Sequence, residues 1–173
     1  MTSIGAYDYA GLVKSYLTQS KPSGVTAKLS GIKWYRMSFA GTKLYSYQSQ
    51  LAELDLANNV LLIDLCISEY SNTSVKQTNK LLFQLPNGMQ VYYIDLANSP
   101  EQNLQYYWNR LDILIGKYTR ARAEHTRASY KAQVHSLFNQ AMSYADYAGI
   151  DRQSTVYLKY LEYTAKLFEL KLL

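Results

Sequence analysis

Residues 44–82 read LYSYQSQLAELDLANNVLLIDLCISEYSNTSVKQTNKLL, and their reading decides the fold. Val60–Ile67 is a nearly continuous apolar run, the pattern of a central strand buried on both faces. Before it, Leu51–Leu56 alternates: Leu51, Glu53 and Asp55 against Ala52, Leu54 and Leu56, as a half-buried strand does. Asn58-Asn59 joins the two strands, since Asn tolerates the left-handed conformation of a tight turn. After the run, Asn72-Thr73-Ser74 offers three side chains able to cap the free amides of a helix. That helix is expected to run to about Leu82 or Leu85.

Working upstream, Tyr9, Leu12, Val13, Tyr16 and Leu17 give Ala6–Leu17 the apolar face of a short helix. Ser20-Lys21-Pro22-Ser23-Gly24 breaks it as an exposed loop. Trp34–Phe39 reads as a strand, Ala40-Gly41-Thr42 as a turn and Leu44–Ser49 as the returning strand. Downstream, Pro86-Asn87-Gly88 ends the helix and Met89–Leu96 is strand-like. An antiparallel sheet is expected.

The rest of the chain differs in kind. Ser99-Pro100-Glu101 is a helix start, with a cap, a proline at the first position and an acid in the first turn. The helical pattern continues to about Ala148, its face carried first by Leu104, Trp108, Leu111, Ile115 and Tyr118. Val134, Leu137, Phe138, Ala141 and Ala145 carry it later, and Gly116 and Thr119 are the places for a bend. Gly149 suits the end, and Asp151 or Ser154 caps a last helix bearing Tyr157, Tyr160, Leu161, Thr164, Leu167 and Phe168. The two form an antiparallel helical hairpin. The fold class is therefore α+β: a strand-rich region over 1–98 and a helical hairpin over 99–173, expected to make one compact domain.

With 173 residues, 48% hydrophobic and 18% charged, the chain falls in the globular range. Its single cysteine, Cys66, forms no internal disulfide; a buried thiol and a reducing compartment are expected. The first residues lack a positive start followed by an apolar core, and no apolar run reaches about eighteen residues. A cytoplasmic location, away from the membrane, is expected. The chain contains 18 tyrosines, which suit both a core that reaches the surface and a binding face.

Charge is concentrated in one place. Lys117, Arg120, Arg122, Arg127 and Lys131 are opposed only by Glu124 in a chain of net charge +5. On one continuous helix, steps of seven and four put Arg120, Arg127 and Lys131 on the same face as Glu124. Such a stripe meets the phosphates of DNA or RNA, or an acidic patch on a protein. A solvated helix face has the same composition. Tyr118 and Tyr130 are candidate aromatic anchors beside it. No ribonucleoprotein motif, zinc finger or GXXG clamp accompanies the stripe.

Catalytic constellations are not found. His125 and His135 are ten residues apart on opposite sides of a helix, and no further ligand joins them at metal spacing. Glu53 and Asp55 share a strand face, where a pair of carboxylates can hold Mg²⁺, yet no Lys or His completes such a site. Walker A, GxSxG and GxGxxG patterns are absent. A non-enzymatic protein with no cofactor and no metal is expected.

Two Tyr-Ser motifs bracket the deciding segment: Tyr45-Ser46-Tyr47, followed by Leu51-Ala52 and the apolar strand, then Tyr70-Ser71-Asn72-Thr73-Ser74 with Gln77 and Asn79. This arrangement resembles a pattern in small uncharacterised proteins of bacteriophages and mobile elements. Where those proteins carry His-Gln in the helix, this chain has Lys76-Gln77. The resemblance implies a phage accessory protein and no particular activity. Joined to the basic stripe, it leads to the expectation of a protein that binds a macromolecule, in concrete form an anti-CRISPR-like inhibitor of a host nuclease complex. Direct DNA or RNA binding is the alternative, and the apolar faces around Trp108 serve equally as core or as a homodimer seam.

Overall fold

A computed structural model describes residues 6–26 and 36–172. The chain divides into two compact units, Met1–Leu96 and Ala97–Leu173. Of the expected strand Trp34–Phe39, Trp34 and Tyr35 lie outside the described residues.

The first unit contains a seven-stranded sheet whose strands lie in sequence order. They are β1 (Ala6–Tyr7), β2 (Ser23–Thr26), β3 (Met37–Ala40), β4 (Lys43–Ser46), β5 (Ser49–Asp55), β6 (Val60–Asp64) and β7 (Gln90–Ile94). From β2 to β6 every neighbouring pair is antiparallel. Local chemistry makes the turns: Gly41 has φ +53° between β3 and β4, and Asn59 has φ +54° just before β6, the left-handed conformations these residues accept at least cost. The segment Leu44–Ser49, expected as one strand, instead turns between β4 and β5, where Tyr47 has φ +54°.

At its ends the sheet departs from the antiparallel expectation. The pairs β1–β2 and β6–β7 are parallel, so the sheet is mixed. A parallel neighbour needs a crossover, and helices α2 (Leu65–Glu69) and α3 (Asn72–Phe83) supply it between β6 and β7. The expected strand Val60–Ile67 therefore stops at Asp64. That residue is extended, and its Oδ1 accepts from the Ile67 amide at 2.8 Å, starting α2 at once. Its Oδ2 accepts from the Leu96 amide at 3.1 Å, just past β7. One carboxylate thus ends a strand, opens a helix and holds the returning chain.

The expectation of a buried thiol fails for the same reason. Cys66 falls on α2 rather than inside a strand, and it is exposed. Its thiol pKa is raised by desolvation and by the carboxylates of Asp64 and Asp95, which lowers the fraction present as thiolate.

Helix α1 (Tyr9–Leu17) starts at Asp8, whose carboxylate accepts from Gly11 N. It buries Leu12, Val13, Tyr16 and Leu17 in a core with Met37, Phe39, Leu44, Leu51, Leu54, Leu61, Ile63 and Leu81. Tyr16 packs on Phe39 with ring centres 5.8 Å apart, and its hydroxyl donates to Thr42 O.

The second unit is built of long helices, as expected, but the described residues hold three, because the helix expected over 99–148 is two. They are α4 (Pro100–Arg120), α5 (Glu124–Tyr147) and α6 (Thr155–Glu169). The expected long helix breaks at Ala121–Ala123, and not at Gly116 or Thr119; Ala121 and Ala123 are both extended. No proline or glycine stands there, so the cause lies in packing. The stripes Leu104-Trp108-Leu111-Ile115 and Val134-Leu137-Ala141-Ala145 are both buried. Rings carried by these two helix segments meet: Trp108 and Phe138 are 6.2 Å apart, Tyr107 and Tyr144 5.6 Å. Stripes on one straight helix could not face each other; reversing the chain buries both, at roughly 25 cal/mol per Å² of apolar surface.

Trp108 sits at the centre of this unit, with no solvent exposure. It stacks on Tyr163 of α6 with ring centres 5.0 Å apart and an interplanar angle of 15°. Its indole N–H donates to Val156 O at 2.8 Å. Trp108 is therefore core of its own chain. Ser99 forms a reciprocal capping box with Gln102, and Ser154 caps α6, both as the sequence indicated. No helix among the described residues is long and apolar enough to cross a membrane.

Replacing Asp64 by Ala is expected to lower the unfolding free energy by about 2–4 kcal/mol, since a helix cap and a second charge-assisted hydrogen bond are lost together. Asp64→Asn, which keeps one acceptor, should lose about half of that. Urea titration of the full chain monitored by tryptophan fluorescence and circular dichroism measures both.

Candidate functional site

The two Tyr-Ser motifs meet in the folded chain. Ser46 ends β4, and its hydroxyl lies 3.4 Å from that of Ser74 on α3; Ser71 Oγ is 3.2 Å from Ser74 Oγ. Ser46 and Ser74 are both buried. The helix cap is Ser71, accepting from Ser74 N at 3.2 Å, so the cap falls one residue before the expected Asn72-Thr73-Ser74. These hydroxyls satisfy one another and a helix amide, and the motif is accounted for as a latch between β4 and α3. Tyr70 stands out in solvent, 83% exposed.

The expected basic stripe is split by the helix break. Lys117, Tyr118 and Arg120 lie on the last turns of α4, Arg122 lies in the break, and Arg127, Tyr130 and Lys131 lie on α5. Arg120 therefore does not share a helix face with Glu124, Arg127 and Lys131. The break instead distributes the cations over the end of α4, the linker and the first turns of α5, a corner of the chain. All five are exposed, while Tyr118 and Tyr130 are half-buried.

Main-chain carbonyls hold several of these cations. Arg120 Nε donates to Gly116 O at 2.8 Å, and Arg127 Nε reaches back to Ala121 O at 2.8 Å. Lys131 Nζ donates to Lys171 O at 2.8 Å. Cations near a helix C-terminus are favoured by its dipole, so Lys117 and Arg120 help to end α4. The ion pairs Arg152–Asp146 (3.3 Å) and Lys166–Asp112 (2.8 Å) use other residues.

The acidic candidates serve local structure. Glu53 accepts from Gln50 Nε2 at 2.9 Å, and Asp55 accepts from the amide and side chain of Asn58 in the turn after β5. His125 and His135 both lie on α5. Among the described residues no three of His, Cys, Asp and Glu come together as a metal site.

Residues the sequence reading did not single out come together in the first unit: Arg36, Lys76 and Lys80 border one cavity with Tyr9, Thr73 and Gln77. The available signal was the one-turn spacing of Lys76 and Lys80 on α3; Tyr9 and Arg36 arrive only through the fold.

No family model, no curated protein and no solved structure matches this chain.

In the second unit Asp112 joins two helices. Lys166 Nζ donates to its Oδ1 at 2.8 Å and the Tyr163 hydroxyl to its Oδ2 at 2.6 Å. Desolvation alone would raise its pKa, but the hydrogen bonds from Lys166 and Tyr163 and the charges of Lys166 and Lys159 leave it lowered overall. A carboxyl with a folded pKa below its unfolded value stabilises the fold above the unfolded value. That contribution disappears as pH falls through the folded one. The side chain is 51% exposed, so Asp112→Asn should cost less than about 1 kcal/mol at pH 7. Thermal melts should show the full difference at neutral pH and its progressive loss as the pH falls through and below the ordinary carboxylate range.

Proposed function

We propose that this chain is a non-enzymatic binding protein that docks an anionic macromolecular surface on the cationic corner formed by Lys117, Arg120, Arg122, Arg127 and Lys131. The observation that carries the reading is the corner itself: five exposed cations in a stretch, 117–131, whose one acidic residue is Glu124. Tyr118 and Tyr130 flank it as aromatic anchors. Together with the Tyr-Ser resemblance, this supports a phage or mobile-element accessory protein whose partner is a host protein or nucleoprotein complex. A counter-defence inhibitor of a nuclease complex is its concrete form. Such inhibition needs no catalytic group, only a surface that excludes the partner's own ligand.

Direct binding of DNA or RNA is the second reading, favoured by the same exposed cations. Salt separates the two. Phosphate binding weakens with a log–log slope of about −0.7 to −0.9 per phosphate neutralised, whereas a protein interface with an apolar centre loses less.

The tagged chain should be used to capture partners from bacterial host lysate with and without nuclease treatment. The expected result is one nuclease-resistant protein partner, lost when Arg120→Glu and Arg127→Glu are combined. Recovery of nucleic acid alone, with a steep salt dependence, would replace the inhibitor reading by the second one. Partner capture unchanged in the double variant would remove the corner from the account.

A further inference from the structure

The cavity in the first unit is chemically unlike the corner. Tyr9 of α1, Arg36 just before β3, and Thr73, Lys76, Gln77 and Lys80 of α3 surround a space of about 170 Å³. The four α3 residues follow helical steps of three, four and seven, so they form one face. Three of the six lining residues are cations, and none is a carboxylate. Lys80 Nζ also lies 5.5 Å from the centre of the Tyr9 ring, which helps to place its charge at the rim.

Two buried polar atoms here have no partner among the described residues: Arg36 Nε, a donor, and Gln77 Oε1, an acceptor. Gln77 is only 1% exposed. Its Nε2 is already committed, donating to Arg36 O at 2.7 Å, so the amide cannot be turned over without setting one oxygen against another. An unpaired buried donor or acceptor costs about 1–3 kcal/mol, and native structures hold few of them. A ligand that completes the site accepts from Arg36 and donates to Gln77, and the three cations favour one that carries negative charge. Sulfate has no hydrogen to donate at neutral pH. Phosphate does: inorganic phosphate keeps a hydroxyl hydrogen there, and a phosphorylated small molecule brings hydroxyls of its own. With a water taking about 30 Å³ of liquid, the space suits one such oxyanion.

We propose that this cavity is a binding site for a phosphate group, either free phosphate or the phosphate end of a small phosphorylated compound. Arg36, Lys76 and Lys80 neutralise it, and Gln77 Oε1 accepts a hydroxyl hydrogen, from free hydrogen phosphate itself or from a neighbouring hydroxyl of the phosphorylated compound. Lys80 also borders a shallower depression with Phe83, a ring left 91% exposed. Phe83 follows Lys80 by three residues on α3, so a nucleotide whose phosphate fills the cavity would have this ring as the one on which to stack its base.

Isothermal titration of the full chain, in phosphate-free buffer of low ionic strength, tests this with inorganic phosphate, adenosine monophosphate, glucose 6-phosphate and sulfate. At least one phosphate compound should bind about tenfold more tightly than sulfate, a difference of 1.4 kcal/mol. That affinity should fall by about tenfold or more in the combined Lys76→Gln, Lys80→Gln variant, since both charge-assisted contacts are removed. Both lysines are exposed, so the variant should fold; an unchanged melting temperature without ligand verifies that. Lys117→Gln with Arg120→Gln should leave the affinity unchanged. Tightest binding of inorganic phosphate assigns the free ion. Tightest binding of adenosine monophosphate, weakened by Phe83→Ala, assigns a nucleotide, and tightest binding of glucose 6-phosphate a sugar phosphate. Equal affinity for phosphate compounds and sulfate, affinity insensitive to the lysine substitutions, or no binding by any compound would each overturn the proposal.

Discussion

One buried carboxylate sets the course of the first unit. Asp64, 7% exposed, ends β6, caps α2 through Ile67 N and holds Leu96 N just beyond β7. The parallel pairing of β6 and β7 depends on the chain leaving β6 into a helix rather than a hairpin, and this side chain makes that exit favourable. Everything downstream inherits the choice. Because the crossover is helical, α3 can latch onto β4 through Ser46, Ser71 and Ser74 and present Thr73, Lys76, Gln77 and Lys80 to the cavity.

In the second unit the corresponding constraint is the burial of two apolar stripes that a straight helix would hold apart. Folding back at Ala121–Ala123 lets Trp108 meet Phe138 and stack on Tyr163. Ending α4 there also sets five cations around the turn, where Arg120 and Arg127 donate to the carbonyls of Gly116 and Ala121. Packing thus decides where the charge collects, and charge helps to stabilise the end that packing imposes.

What could be read in advance was local. Ser99 with Pro100, Ser154, Gly41 and Asn59 act through their own neighbours, so caps and turns fell where the residues indicated. What could not be read was set by distant partners. Val60–Ile67 looks like one strand until Asp64 is seen to hold Leu96, and Cys66 is placed outside as a result. Nothing between Lys117 and Lys131 breaks a helix locally. The positive charge of the corner was legible, but its arrangement was not. The cavity was less so, since Tyr9, Arg36 and Lys76 are brought together only by tertiary structure.

The claim on which the corner rests is that α4 and α5 are separate helices. Backbone chemical shifts of the isotopically labelled full chain test it most directly. Helical Cα shifts are expected over Pro100–Arg120 and Glu124–Tyr147, with extended values at Ala121 and Ala123. Unbroken helical shifts from Pro100 to Tyr147 would mean that the cations lie along one face of a single helix, and the cationic corner would have to be abandoned.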